Sequence, residues 1–125
     1  ELGLQNCVNR SGDDLIAYLF ASRAGISKVG TYAGTGSDID VDCGFTNGAR
    51  FVMIKRTDAS ADWFVVDTAR GIASGNDPYL TLNTTEGEGT TANVIDPLSS
   101  GFTVKTSGGA AINGSGGTYL FLAIA

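Results

Sequence analysis

The amino-acid sequence predicts an all-β fold: an antiparallel two-sheet β-sandwich, jelly-roll-like, of about eight strands. Three observations carry that expectation. Glycine makes up 18 of the 125 residues, about double the usual ~7%, and without a three-residue period it marks tight turns rather than collagen. The apolar runs are short, and several alternate polar and apolar with the period of two that a half-buried strand requires. No window of eleven residues holds the i, i+3, i+4, i+7 spacing of an amphipathic helix, so helix content near zero is expected.

Each element follows in chain order. Leu15-Ile16-Ala17-Tyr18-Leu19-Phe20 is too apolar to stay in water and is expected to pair with a sheet. Asp38 to Cys43 alternates, which sets Ile39, Val41 and Cys43 on a core and three aspartates in solvent. Phe51-Val52-Met53-Ile54 is apolar at every position, as in a strand covered on both faces or central in a sandwich, and Trp63-Phe64-Val65-Val66 is similar. Thr57 to Asp62 between them is a polar loop of hairpin length. Tyr79 to Leu82 and Phe102 to Lys105 alternate again, and Tyr119 to Ala125 closes the chain as an apolar run. Turn clusters stand at Ala33–Ser37, Thr46–Gly48, Gly75–Pro78 and Ser107–Gly109, with a longer polar excursion from Glu86 to Asn93.

Composition excludes several function classes. The formal charge is −5 with no Lys/Arg cluster, so the surface repels phosphates and no nucleic acid partner is expected. Membrane insertion is not expected either, because the longest apolar run is far short of the ~20 residues a spanning helix needs. No signal peptide is read, since no basic residue precedes an apolar h-region after Glu1. There is no histidine and no CxxC, which leaves no zinc site in view. Cys7 and Cys43 are expected to be separate buried thiols rather than a disulfide.

One internal repeat is visible. Val8-Asn9-Arg10-Ser11-Gly12 through Ala21 matches Ile112-Asn113-Gly114-Ser115-Gly116 through Ala125, 104 residues apart (113 minus 9). Each copy is a polar turn followed by a very apolar strand. Residues 1–21 therefore read as the closing strand of a preceding copy, or as a strand inserted into this domain or swapped into a neighbouring subunit. Residues 22–125 read as the β-sandwich domain. Insertion within the same chain is favoured, beside the Tyr119–Ala125 strand or across the sandwich from it.

The order of several pieces carries a resemblance. Val29-Gly30-Thr31-Tyr32-Ala33-Gly34-Thr35-Gly36-Ser37 opens it, followed by Cys43-Gly44-Phe45 and an apolar run closed by Lys55-Arg56-Thr57. Asp62-Trp63-Phe64, Tyr79-Leu80-Thr81-Leu82-Asn83-Thr84, Gly101-Phe102-Thr103-Val104 and the Asn113-to-Ala125 ending complete it. Together they resemble the C-terminal β-rich domain of bacteriophage tail, tail-fibre and related virion structural proteins. The resemblance implies a non-catalytic module of a virus particle, in a tail fibre or as a decoration protein, contributing to assembly and host attachment. It implies localisation in the virion, other virion proteins as partners and a homo-oligomer, by analogy a trimer. It names no active site.

Candidate sites are few. Trp63, Tyr32 and Tyr79 are the aromatics that a glycan- or receptor-binding module would stack on a sugar. Trp63, inside an apolar run, reads more simply as core, whereas Tyr32 and Tyr79 beside turns read as better exposed. Asp38, Asp40 and Asp42 project from one strand face, spaced ~6.5–7 Å apart. Loop oxygens beside them would make a Ca²⁺ site, but a solvated stripe that discourages edge pairing is the simpler reading, and no other cofactor is expected. Without histidine the commonest general base is missing. Asp58, Asp62 and Asp67 lie near one hairpin and are read as loop carboxylates rather than a glycosidase pair, so no enzyme is expected. Lys55 and Arg56 are read as partners of Asp58 or Asp62.

Overall fold

The computed structural model describes residues 10–125. Eight strands form two antiparallel sheets, as the sequence predicts. They are β1 (Ser27–Ala33), β2 (Ile39–Asp42), β3 (Phe51–Arg56), β4 (Trp63–Asp67), β5 (Tyr79–Thr81), β6 (Ile95–Leu98), β7 (Gly101–Val104) and β8 (Thr118–Ile124). The larger sheet has the order β1-β8-β3-β4-β5 and the smaller β2-β7-β6. The chain changes sheet at β1–β2, β2–β3, β5–β6 and β7–β8, and this interleaving of first and last strands gives the jelly-roll-like character.

The core lies between the sheets. The larger sheet supplies Val52 and Ile54 from β3, Val66 from β4, and Tyr119, Phe121 and Ala123 from β8. The smaller sheet answers with Val41, Ile95, Phe102 and Val104. Period two explains the selection, since Val52 pairs with both Val66 and Ala123, and Ile54 with Phe64 and Phe121, on one face. Phe102 meets Phe121 edge-on across the layers, with centroids 5.4 Å apart. Gly30 lets that Phe121 ring lie against β1, since a Cβ there would stand 2.9 Å from it.

Two elements depart from the expectation. Strand β6 contains Pro97, which has no N–H to give a neighbouring strand; it survives because β6 is an edge. A five-residue helix, α1 (Gly109–Asn113), follows a single 3₁₀ turn at Thr106–Gly108. It has no helical periodicity because it is held from outside. Its carbonyls accept from Tyr119 Oη (2.8 Å) and Arg56 (3.0 Å) at Ala110, and from Tyr32 Oη (2.6 Å) at Ile112.

The Leu15–Phe20 segment forms no strand and joins neither sheet. Hydrogen bonds to the sheet begin only after it. Ser22 Oγ accepts the Val29 N–H (2.9 Å), Ser27 Oγ donates to the Ala21 carbonyl (2.8 Å), and Arg23 makes a single bridge to Ser27. Pairing beside the Tyr119–Ala125 strand is therefore not what this chain does, because both sides of β8 are already taken by β1 and β3. The role of residues 1–21 relative to a preceding copy or a neighbouring subunit remains a proposal, and residues 1–9 lie outside the described residues.

Candidate functional site

An extended apolar surface lies on the outside of the larger sheet. Residues that alternate with the core positions point there: Met53 from β3, Trp63 from β4, Leu120 and Leu122 from β8, and Val29 from β1. Tyr18 and Phe20 lie over this face and form with it two adjoining grooves of about 250 and 640 Å³, the second reaching Phe51, Leu82 and Ile124. The runs Phe51–Ile54 and Trp63–Val66, apolar at every position, are explained by it: alternate residues fill the core and the others this outer face. A run apolar at every position is expected of a strand covered on both faces or central in a sandwich; here the second apolar set faces outward instead.

Trp63 is thus not a core residue as read from the sequence. It stands half-buried at the edge of this groove. Beside it, Asn83 accepts the Trp63 N–H (2.8 Å) and donates to Asp62 (2.8 Å). The other two aromatics are corrected the opposite way. Tyr32 packs on the inner face, stacked on Tyr119 with centroids 5.0 Å apart, and its phenol is bonded to Ile112. Burial raises its pKa well above the ordinary tyrosine value, and the neighbouring Tyr119 adds to this. Tyr79 leans on Phe64 at 5.4 Å, against the core. The glycines and polar loops beside Tyr32 and Tyr79 set the backbone turns, not the direction of the side chains.

Asp38, Asp40 and Asp42 do share one face of β2 and its approach, but each is turned to its own partner. Asp38 accepts from Lys105 Nζ (2.5 Å) and from the Thr106 amide (2.9 Å) and hydroxyl (3.0 Å). These bonds, the Lys105 one foremost, hold its carboxyl down at about 2. Asp40 accepts from Thr103 (2.6 Å) and Asp42 from the Gly44 amide (2.8 Å). Among the described residues no three His, Cys, Asp or Glu side chains converge as a metal site. The stripe is a set of struts: β7 and its flank supply the donors for Asp38 and Asp40, and the turn after β2 supplies the one for Asp42.

Several other carboxylates are likewise engaged. Asp58 takes both a fork from Arg56 (3.0 Å each) and the Thr118 amide (2.9 Å), which holds its pKa well below the carboxylate range. Asp67 is paired with Arg70. Lys55 turns to the Ala61 carbonyl, so of the two expected partners only Arg56 meets an aspartate. Asp77, within a cluster read only as a turn, is fully buried and accepts the amides of Ala73, Val94 and Ile95 (3.1 Å each). Burial raises its pKa, opposed by those three amides. Cys43 is a free buried thiol, pushed up to about 11 by burial first and Asp42 second; Cys7 lies outside the described residues.

Such an arrangement defines a class of protein before any comparison: an antiparallel two-sheet sandwich whose polar side chains brace loops and whose larger sheet carries an apolar outer surface. The chain belongs to the family described as a Domain of unknown function (DUF7483), whose model matches residues 1–125. No curated protein and no solved structure matches it. No described helix is long and apolar enough to cross a membrane.

Proposed function

We propose that this chain is a non-catalytic structural module of a virus particle, of the tailed-bacteriophage kind, built into a tail fibre or decorating the particle. One observation supports this most. The residues that carry the resemblance to virion proteins occupy the joints of the sandwich. Tyr32 ties β1 to α1, and Arg56 ties β3 to α1 and to the β3–β4 loop. Thr57 donates to the Thr118 carbonyl, and Phe45 is buried in the core. A signature made of joints fits a module selected for shape rather than for reaction.

The test is to purify particles from cells making the virus that encodes this chain, and to measure the protein by quantitative mass spectrometry. A fixed copy number per particle is expected. Its absence from particles, with the protein recovered free in the lysate, would sink the proposal.

A second reading has one observation in its favour. Trp63 sits beside the Asp62–Asn83 pair, an aromatic face next to hydrogen-bonding groups, which is the chemistry that holds a sugar. A host-surface glycan or receptor at a fibre tip would use it. Binding on a glycan array that disappears in Trp63→Ala supports this reading, and uniform silence removes it.

A further inference from the structure

The outer faces of the two sheets differ in kind. The smaller sheet turns outward Asp40, Asp96 and Thr103, with Lys105 bridging Asp38 (2.5 Å) and Asp96 (2.9 Å). That face is made for water. The larger sheet turns outward Met53, Trp63, Leu120 and Leu122. Beside them the Leu15–Phe20 segment is itself in solvent, Ile16 at 84% and Leu19 at 89% exposure. Monomeric soluble proteins seldom expose a contiguous apolar patch beyond a few hundred Å².

The segment is also built like a strand. In its leading turn the Asp13 amide donates to the Arg10 carbonyl (3.3 Å), with Gly12 at φ 87°. Before β8 the Gly117 amide donates to the Gly114 carbonyl (2.9 Å), with Gly116 at φ 76°. Both features recur at the 104-residue spacing of the sequence repeat, so the repeat is one of structure too. The second turn launches a strand flanked by neighbours on both sides. The first launches the same kind of sequence over a face that only Tyr18 and Phe20 partly cover.

We propose that a second copy of this chain covers this surface, its own larger-sheet face and Leu15–Phe20 segment packing against those of the first. The area fits that occupant. Leu15, Ile16, Tyr18, Leu19, Phe20 and Leu82 are each more than half exposed. With ~150–250 Å² for an aromatic side chain and somewhat less for Leu or Ile, these exposures offer roughly 800 Å², about what one partner gives to a stable interface. Charge does not drive the contact, because two chains of net charge −5 repel; apolar burial does. This surface is independent of the viral reading and would stand if the particle were of another kind.

The mass of the chain in solution tests this, by light scattering on a sizing column at tens of micromolar, above the roughly μM-to-pM range in which interfaces of this size associate. Wild type is expected at twice 12.8 kDa or more, and the double variant Ile16→Asp/Leu19→Asp at 12.8 kDa with an unchanged circular dichroism spectrum. Ile16 and Leu19 stand almost wholly in solvent, so the fold does not depend on them. Leu82→Asp, on the opposite side of the face, provides a second variant with the same expected loss of mass. Asp40→Asn, on the smaller sheet, is expected to keep the wild-type mass. A wild-type monomer, or variants that keep the wild-type mass, would overturn the proposal. So would loss of association in Asp40→Asn, which would place the interface on the other sheet.

Discussion

Arg56 shows how much one side chain can organise. Its guanidinium forks onto Asp58, donates to the Ala110 carbonyl and lies 5.9 Å from the Tyr119 ring. Asp38 has a similar bracing role, and its depressed pKa makes it a pH reporter. A carboxyl lowered from 3.8 to about 2 adds stability above its ordinary value, and this is lost as pH falls toward 2. The melting temperature is therefore expected to fall between pH 4 and 2, less steeply in Asp38→Asn; equal slopes would show that Asp38 contributes nothing. Asp77 has the opposite sign, since a raised pKa favours the folded state at low pH. Its value lies in the three amides it satisfies. Asp77→Asn turns an NH₂ toward donors and is expected to lose about 1–3 kcal/mol in urea denaturation at pH 7. An unchanged midpoint would refute the brace. At this scale the sequence was partly legible. Arg56 with Asp58 could be read because a single residue separates them. Asp77 could not, because two of its amides come from residues distant in sequence.

Strands were legible where period two was clear. The Asp38–Cys43 alternation placed Val41 and Cys43 inside, and they are buried. Strand β6 was not legible, because Pro97 argues against a strand until its edge position is known. Helix α1 was not either, since its carbonyls are held by Arg56, Tyr32 and Tyr119 from other elements. The link from β1 to β2 is tighter than its glycines suggest. A Cβ on Gly34 would overlap the Gly114 carbonyl oxygen and the Tyr119 ring. Gly34→Ala is therefore expected to destabilise the sandwich by about 1–3 kcal/mol through overpacking. A thermal melt matching wild type would show that this joint gives way freely. Leu15–Phe20 was expected to leave water for a sheet of its own chain; it stays exposed instead, and β8 has no vacant side to offer it.

For the whole molecule the main fact is asymmetry: one outer face braced by charge, the other apolar and only partly covered by Tyr18 and Phe20. A sandwich needs one hydrophobic interior, and this one has apolar surface to spare. The jelly-roll-like order could not be read from the sequence, because strand pairing across long connections leaves no local pattern. The sole tryptophan, Trp63, stands on the apolar face and reports whether it is covered. The most direct measurement is its emission maximum over a dilution series, in wild type and in Ile16→Asp/Leu19→Asp. If copies of the chain cover this face, wild-type emission shifts to the red on dilution, and the variant starts red and stays there. Emission that is independent of concentration and identical in the two proteins would contradict the account.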